Sequence, residues 1–287
     1  MGAANVIPGV SGGTIAFVTG IYERFINALK HIDLVSLKLL FKLDFSAFWT
    51  RIDGSFLLAV LGGVGVSILS LAKILEWAFT NYESLTLSFF FGLIIASIIG
   101  VGRQVSAWRL AEILSLIIGV AIAVFIAFLP PAEANDSMLY VFICGIVAVC
   151  SMILPGLSGS YILLLMGNYI LVLQAISGFN LSILIPLGLG CAIGLALFSR
   201  LLSYLFAHFK DVTIALLTGF VVGSLLIIWP WKLTHFEQVS EVKQKAIGYE
   251  WLMPALDRQL AVSLLLMIVG FLLVWLLERT AATKSLE

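Results

Sequence analysis

Two short runs of this chain set hydroxyls and bare backbone into otherwise apolar sequence: Ser11, Gly12, Gly13 and Thr14, and again Ser158, Gly159 and Ser160. Each follows a Pro-Gly step, Pro8-Gly9 and Pro155-Gly156, that a continuous helix does not accommodate. Proline lacks a backbone donor and turns the preceding residue away from helix, while glycine tolerates unusual dihedrals. Ser11 and Ser158 stand where an N-cap belongs, ahead of the apolar runs Ile15 to Val18 and Ile162 to Met166, so each run opens a new helix. The chemistry this favours is anion capture. The first N–H groups of a helix, at its positive dipole end and beside serine hydroxyls, admit a phosphate or carboxylate closely.

The elements that position these residues are duplicated. Pro8 to Tyr22 and Pro155 to Tyr169 align without a gap at an offset of 147, agreeing at seven of fifteen positions. A single copy reads more readily as a glycine-rich packing motif between membrane helices. Two copies favour a binding site, because irregular backbone at membrane depth is tolerated only inside protein or along a polar cavity.

The solvent of this protein is lipid: 61% of residues are hydrophobic and 11% charged, with a mean hydropathy of +1.13. A hydrocarbon core of roughly 30 Å asks for about 20 apolar residues per helix. Six segments qualify: Ser55 to Phe79, Leu85 to Val101, Leu110 to Leu129, Ser182 to Phe206, Val212 to Trp229 and Gln259 to Leu277. Zero net charge without a basic run gives nucleic acid no footprint. The start, Met1-Gly-Ala-Ala-Asn, is neither a signal peptide nor a myristoylation site. Cys144, Cys150 and Cys191 lack metal-ligand spacing, and His31, His208 and His235 are scattered, so no metal or cofactor is expected.

At an offset of 127, Ser55 to Ser97 overlays Ser182 to Ser224, matching Gly63 with Gly190, Lys73 with Arg200, Phe79 with Phe206 and Gly92 with Gly219. Each half therefore reads as a broken segment followed by three crossing helices. A segment that enters and returns adds no net crossing and three helices add an odd number, so the halves face opposite ways. The expected fold is an all-α integral membrane protein of two inverted repeats, each a re-entrant or broken helical hairpin plus three transmembrane helices. The first, 1–134, has its hairpin around Pro8 to Gly13 and an insert at 23–53 that reads as one or two amphipathic surface helices or, equally, as a solvated connector. The second, 135–287, has its hairpin at 138–175.

Lys and Arg set the sidedness. Arg24, Lys30, Lys38, Lys42, Arg51, Arg103, Arg109, Lys210, Arg279 and Lys284 gather on one side. The other side has uncharged or acidic short loops at Asn81 to Ser84 and Pro130 to Ser137, and only the Pro230 to Arg258 loop supplies Lys232, Lys243, Lys245 and Arg258. Positive charge inside places both termini in the cytoplasm. Trp49, Trp77, Tyr82, Trp108, Trp229 and Trp231 fall at predicted helix ends, as interfacial aromatics do.

Lys73 and Arg200 are repeat-equivalent cations inside predicted crossings, costly enough there to suggest a role at either end of an anion's route. The competing reading is snorkelling to the nearer interface, helped at Lys73 by Glu76. Glu112 and Glu76 are the carboxylates available for coupling to ion movement, Glu112 also reading as an interfacial residue near Arg109.

The run Gly2-Ala-Ala-Asn-Val-Ile-Pro-Gly-Val-Ser-Gly-Gly-Thr-Ile-Ala-Phe17 with Gly20-Ile-Tyr-Glu23, and Met152-Ile-Leu-Pro-Gly-Leu-Ser-Gly-Ser160, closely resembles the bacterial polyprenyl-phosphate transporter family, formerly a domain family of unknown function. The likeness runs through nearly the whole chain. It implies a flippase in the bacterial cytoplasmic membrane that returns undecaprenyl phosphate, the lipid carrier of cell-wall precursors, to the cytoplasmic leaflet. Family members usually carry a short stretch ahead of Met1-Gly2, and Leu286-Glu287 reads as a cloning scar. Two rivals remain. Undecaprenyl-diphosphate phosphatase shares inverted halves and a Pro-Gly-x-Ser-Arg-Ser signature, but Gly12 and Gly159 replace that arginine and its paired-glutamate motif is missing. A small-anion channel or exchanger would use the same helix starts.

Overall fold

A computed structural model describes residues 1–2, 12–240 and 243–284. After the residues not described, two short helices follow, α1 (Gly12–Val18) and α2 (Tyr22–Lys30), joined through Gly20 at φ +72°. Two surface helices follow, α3 (Leu34–Phe41) and α4 (Phe45–Arg51), each started by an aspartate that accepts a backbone N–H: Asp33 from Ser36 at 2.9 Å and Asp44 from Ala47 at 3.1 Å. The insert thus holds more helix than expected, and its first part is not superficial. Tyr22, Ile26 and Ala28 bury one face of α2 against the bundle.

Next comes α5 (Gly54–Gly102), a long helix broken only at Tyr82, where φ −144° and ψ 48° leave the helical region. The sequence-predicted loop at Asn81 to Ser84 is therefore a one-residue kink. Then follow α6 (Leu110–Ala127), α7 (Met138–Ile153), α8 (Gly159–Leu165), α9 (Tyr169–Ser177), α10 (Leu181–His208) and α11 (Lys210–Ser224). The last helix is α12 (Arg258–Lys284).

The element bounds repeat. Helices α1 and α2 have the lengths of α8 and α9, seven and nine residues, and start at the same offset of 147. The turn glycines correspond too, Gly20 at φ +72° and Gly167 at φ +75°. At the offset of 127, the starts of α5 and α10 coincide, and the Tyr82 kink matches Phe209, at φ −136° and ψ 48°, between α10 and α11.

Among the described residues, four helices are long and apolar enough to cross a membrane: Trp77–Gly102, Leu110–Ala127, Leu181–His208 and Arg258–Leu276, or up to six spans if two sharply bent pairs each count as one. The expected crossing from Val212 to Trp229 is shorter, because α11 stops at Ser224 and residues 225–228 form turns. The 230–258 connection, read as a loop, holds an antiparallel hairpin, β1 (Lys232–Ser240) paired with β2 (Lys243–Trp251).

Packing follows the rule for a lipid solvent, with small residues inward and large ones outward. On α6, Ser115, Gly119 and Ala123 are buried while Ile113, Leu114, Ile117, Ile118 and Phe125 are exposed. Three helix pairs cross at facing glycines, Gly92 with α12 at Gly270, Gly119 with α11 at Gly219, and Gly145 of α7 with α10 at Gly190. At each crossing an added methyl group would overlap a partner carbonyl, so the backbones touch. The main apolar cluster sits where α1 and α2 meet the bundle, with Phe17, Tyr22, Ile26, Leu157, Phe206, Leu217 and Phe220 buried together.

Candidate functional site at the helix breaks

Pro155 ends α7 by forcing Leu154 into extended backbone, at φ −62° and ψ 129°. The next residue, Gly156, adopts φ +84°, a conformation only glycine takes cheaply, and a side chain there would also collide with the Phe220 carbonyl on α11. That geometry aims the Gly156 N–H at Thr14, whose hydroxyl oxygen accepts it at 2.8 Å in a buried setting. The two duplicated runs, 142 residues apart in sequence, are therefore joined by a direct hydrogen bond. A second tie lies beside it: the buried Tyr22 hydroxyl donates to the Ile153 carbonyl at 3.2 Å.

Gly12 and Gly13 are buried at the start of α1 and Thr14 is 1% exposed. Pro8, Gly9 and Ser11 lie outside the described residues. Ser158 is the N-cap residue of α8, with extended backbone at φ −100° and ψ 125°, but its hydroxyl does not cap the helix. It pairs instead with the Ser160 hydroxyl at 2.9 Å, leaving two oxygens side by side at the helix start. Ser158 and Gly159 are half-buried and Ser160 is exposed, so this start is open on one side. Gly159 also lets α8 press against the Ala148 carbonyl of α7.

Lys73 on α5 and Arg200 on α10 are both exposed, and neither forms a hydrogen bond or ion pair among the described residues. Glu112 is nearly buried and its carboxylate accepts the Arg109 N–H at 3.0 Å, closing the first turn of α6. Glu76 lies on α5, but its side chain is outside the described set.

Sequence reasoning passed over several polar groups. Asn168, fully buried after the α8 turn, pairs with both backbone groups of Asn135, its Oδ1 accepting at 2.9 Å and its Nδ2 donating at 2.8 Å. The available signal was a lone amide in an apolar run, where a polar side chain is costly without partners. Around Gly20, a cavity of about 600 Å³ is lined by Glu23, Arg24, Asn27, His31, Arg51 and Asp53 among others. Arg24 grips Asp53 at 2.6 and 3.0 Å, and Arg51 reaches Asp33 at 2.7 Å. The Arg51 guanidinium and the Ser36 N–H hold the Asp33 carboxyl well below the usual carboxylate range. Deeper in, Lys30 donates to the Ser203 hydroxyl at 3.0 Å, which donates to Asn27 Oδ1 at 2.9 Å.

Comparison with known proteins adds to this geometry. The chain is 40% identical to the polyprenyl-phosphate transporter of Vibrio cholerae serotype O1 over 289 positions, covering 98% of this chain and 94% of that protein. It is 30% identical to the polyprenyl-phosphate transporter of Staphylococcus aureus over 249 positions, covering 80% and 83%. No solved structure matches it. With residues 1–246 matched by the family's sequence pattern, the chain belongs to the undecaprenyl phosphate translocase-like family.

Proposed function

We propose that this chain is a flippase that moves undecaprenyl phosphate across the bacterial cytoplasmic membrane, returning the lipid carrier for reuse, with both termini cytoplasmic. The observation that carries the reading is the Gly156 N–H to Thr14 bond, which sets the start of α1 against the Pro155-Gly156 break inside an apolar bundle. A phosphate monoester carries between about one and two negative charges near neutral pH and does not cross hydrocarbon unaided, whereas its isoprenoid tail needs no help. The protein therefore has to shelter only the head.

In this reading, Ser11, Gly12, Gly13, Thr14, Ser158, Gly159 and Ser160 form the phosphate site, with Pro8, Gly9, Pro155 and Gly156 making the breaks. Hydroxyls and helix-start N–H groups replace the water that the phosphate loses. Lys73 and Arg200 attract the head at either end of its route, and their exposure suits a lipid whose tail stays outside the protein. Glu112 and Glu76 are the carboxylates available for coupling.

The halves are read as inverted repeats related by a two-fold axis in the membrane plane. Matching element bounds support this, as does the exchange of partners: the Gly92 helix of one half packs on Gly270 of the other, and Gly219 packs on Gly119. Rocking of the halves then exposes the site to each side in turn.

The test is flipping of labelled undecaprenyl phosphate in proteoliposomes. The combined variant Ser11→Ala with Ser158→Ala, and separately Arg200→Ala, should slow flipping by about tenfold or more, the loss of one charge-assisted contact or two neutral ones. Undiminished flipping in both would remove these residues from the site. Release of inorganic phosphate from undecaprenyl diphosphate would instead mark an enzyme.

A further inference from the structure

Building on the transporter reading above, we infer that segment 130–137 is a gate over the second hairpin and that Asn168 is its latch. The geometry begins with α8, which turns back after the Pro155 break and delivers Leu165 to the segment from which α7 departs: the Ala132 N–H donates to the Leu165 carbonyl at 2.7 Å. Gly167, at φ +75°, has no side chain where the Ala132 and Glu133 carbonyls lie against it. The Tyr140 hydroxyl adds a bond to the Met166 carbonyl at 2.9 Å.

At the centre of this closure Asn168 presents an amide to the Asn135 backbone as a neighbouring strand would, accepting its N–H and donating to its carbonyl. Being wholly buried, the amide has no water to turn to, so the contact is either fully made or costly. It is also neutral, and two neutral bonds hold a segment closed without making its opening prohibitive. At the equivalent position of the first hairpin stands Ile21, which carries no amide, and Gly20 beside it has open space in front of its Cα. Among the described residues, one hairpin tip is bolted by an amide while the other is not. Access to the Ser158 and Ser160 hydroxyls from the 130–137 side then requires this segment to part from Asn168 in every transport cycle.

The test is a reversible lock. In a background with Cys144, Cys150 and Cys191 replaced by alanine, Asn135→Cys and Asn168→Cys are combined. Cys144 has to go because the Asn168 amide reaches its sulfur at 3.6 Å and it would compete for the new thiol. Oxidation should reduce flipping of labelled undecaprenyl phosphate by about tenfold or more, and a reductant should restore it. Cross-linked protein that flips normally would overturn the gate.

A second measurement does not depend on flipping. With a single cysteine at Leu165, labelling by a membrane-impermeant maleimide should speed up about fivefold or more when Asn168→Leu is added, the latch being gone. An unchanged labelling rate would overturn the inference by itself. Absence of flipping in the unmodified protein would count against the transporter reading, while the labelling result would still decide the latch.

Discussion

The two hairpins of this protein have the same lengths and the same left-handed glycine at the turn, yet they are held in different ways. The α8–α9 turn is covered: Asn168 pairs with Asn135, and Gly167 is pressed by Ala132 and Glu133. The α1–α2 turn is less covered, with nothing among the described residues within 4 Å of a methyl group added at Gly20 and a polar cavity beside it. The two runs share one backbone plan and differ in what packs on the turn, a pair of amide bonds at one and a polar cavity at the other.

Breaking the comparison at the glycines should have the largest effect. Gly167→Ala forces a side chain into both a left-handed backbone and the Ala132 carbonyl, and should cost about 3 kcal/mol, whereas Gly20→Ala meets only the backbone penalty of about 1 kcal/mol. Thermal unfolding in detergent checks the order, and equal losses would mean that the turns are packed alike. Asn168→Leu should come next, at about 2 kcal/mol, because it leaves both backbone groups of Asn135 without partners. The converse change, Ile21→Asn, should cost under about 1 kcal/mol, since Ile21 is only half-buried and a new amide there can reach water.

The smallest effect belongs to the ion pairs near the α1–α2 turn. The Asp33 carboxyl is depressed in the folded protein, so its pairing with Arg51 contributes fully above the ordinary carboxylate range and fades as pH falls through the folded value. Asp33→Asn should therefore flatten the loss of stability below about pH 4 by some tenths of a kcal/mol, read from melting curves across that range. A slope identical to that of the unaltered protein would show that the pair contributes nothing.

Much of this plan was legible in the residues. Pro155-Gly156 and the serine after them announced the break between α7 and α8, since proline and glycine act on local backbone whatever surrounds them. The offset of 127 anticipated that Tyr82 and Phe209 would occupy the same kink, although the first was expected to be a loop. The break at Tyr82 is tighter than a loop, with the Thr86 hydroxyl reaching back to the Ala78 and Tyr82 carbonyls at 3.2 and 2.9 Å, a closure that helix propensity does not report. The strands at 232–251 were missed for a related reason, because short alternating polar sequence between two apolar helices resembles a connection. Ser158 was expected to cap α8 and occupies the cap position, but its hydroxyl prefers Ser160, a choice between near neighbours that only side-chain placement settles.

Taken by itself, the sequence determined the apolar, membrane-spanning character, the Pro155-Gly156 break and the paired runs, because apolar content, proline and glycine act through solvent and local dihedrals. It did not determine which helices would meet. That Gly92 faces Gly270 and Gly119 faces Gly219, that Thr14 accepts from Gly156, and that Asn168 finds Asn135 are outcomes of chain crossings between distant segments. Such contacts depend on the close approach of backbones already folded, so only the tertiary structure decides them.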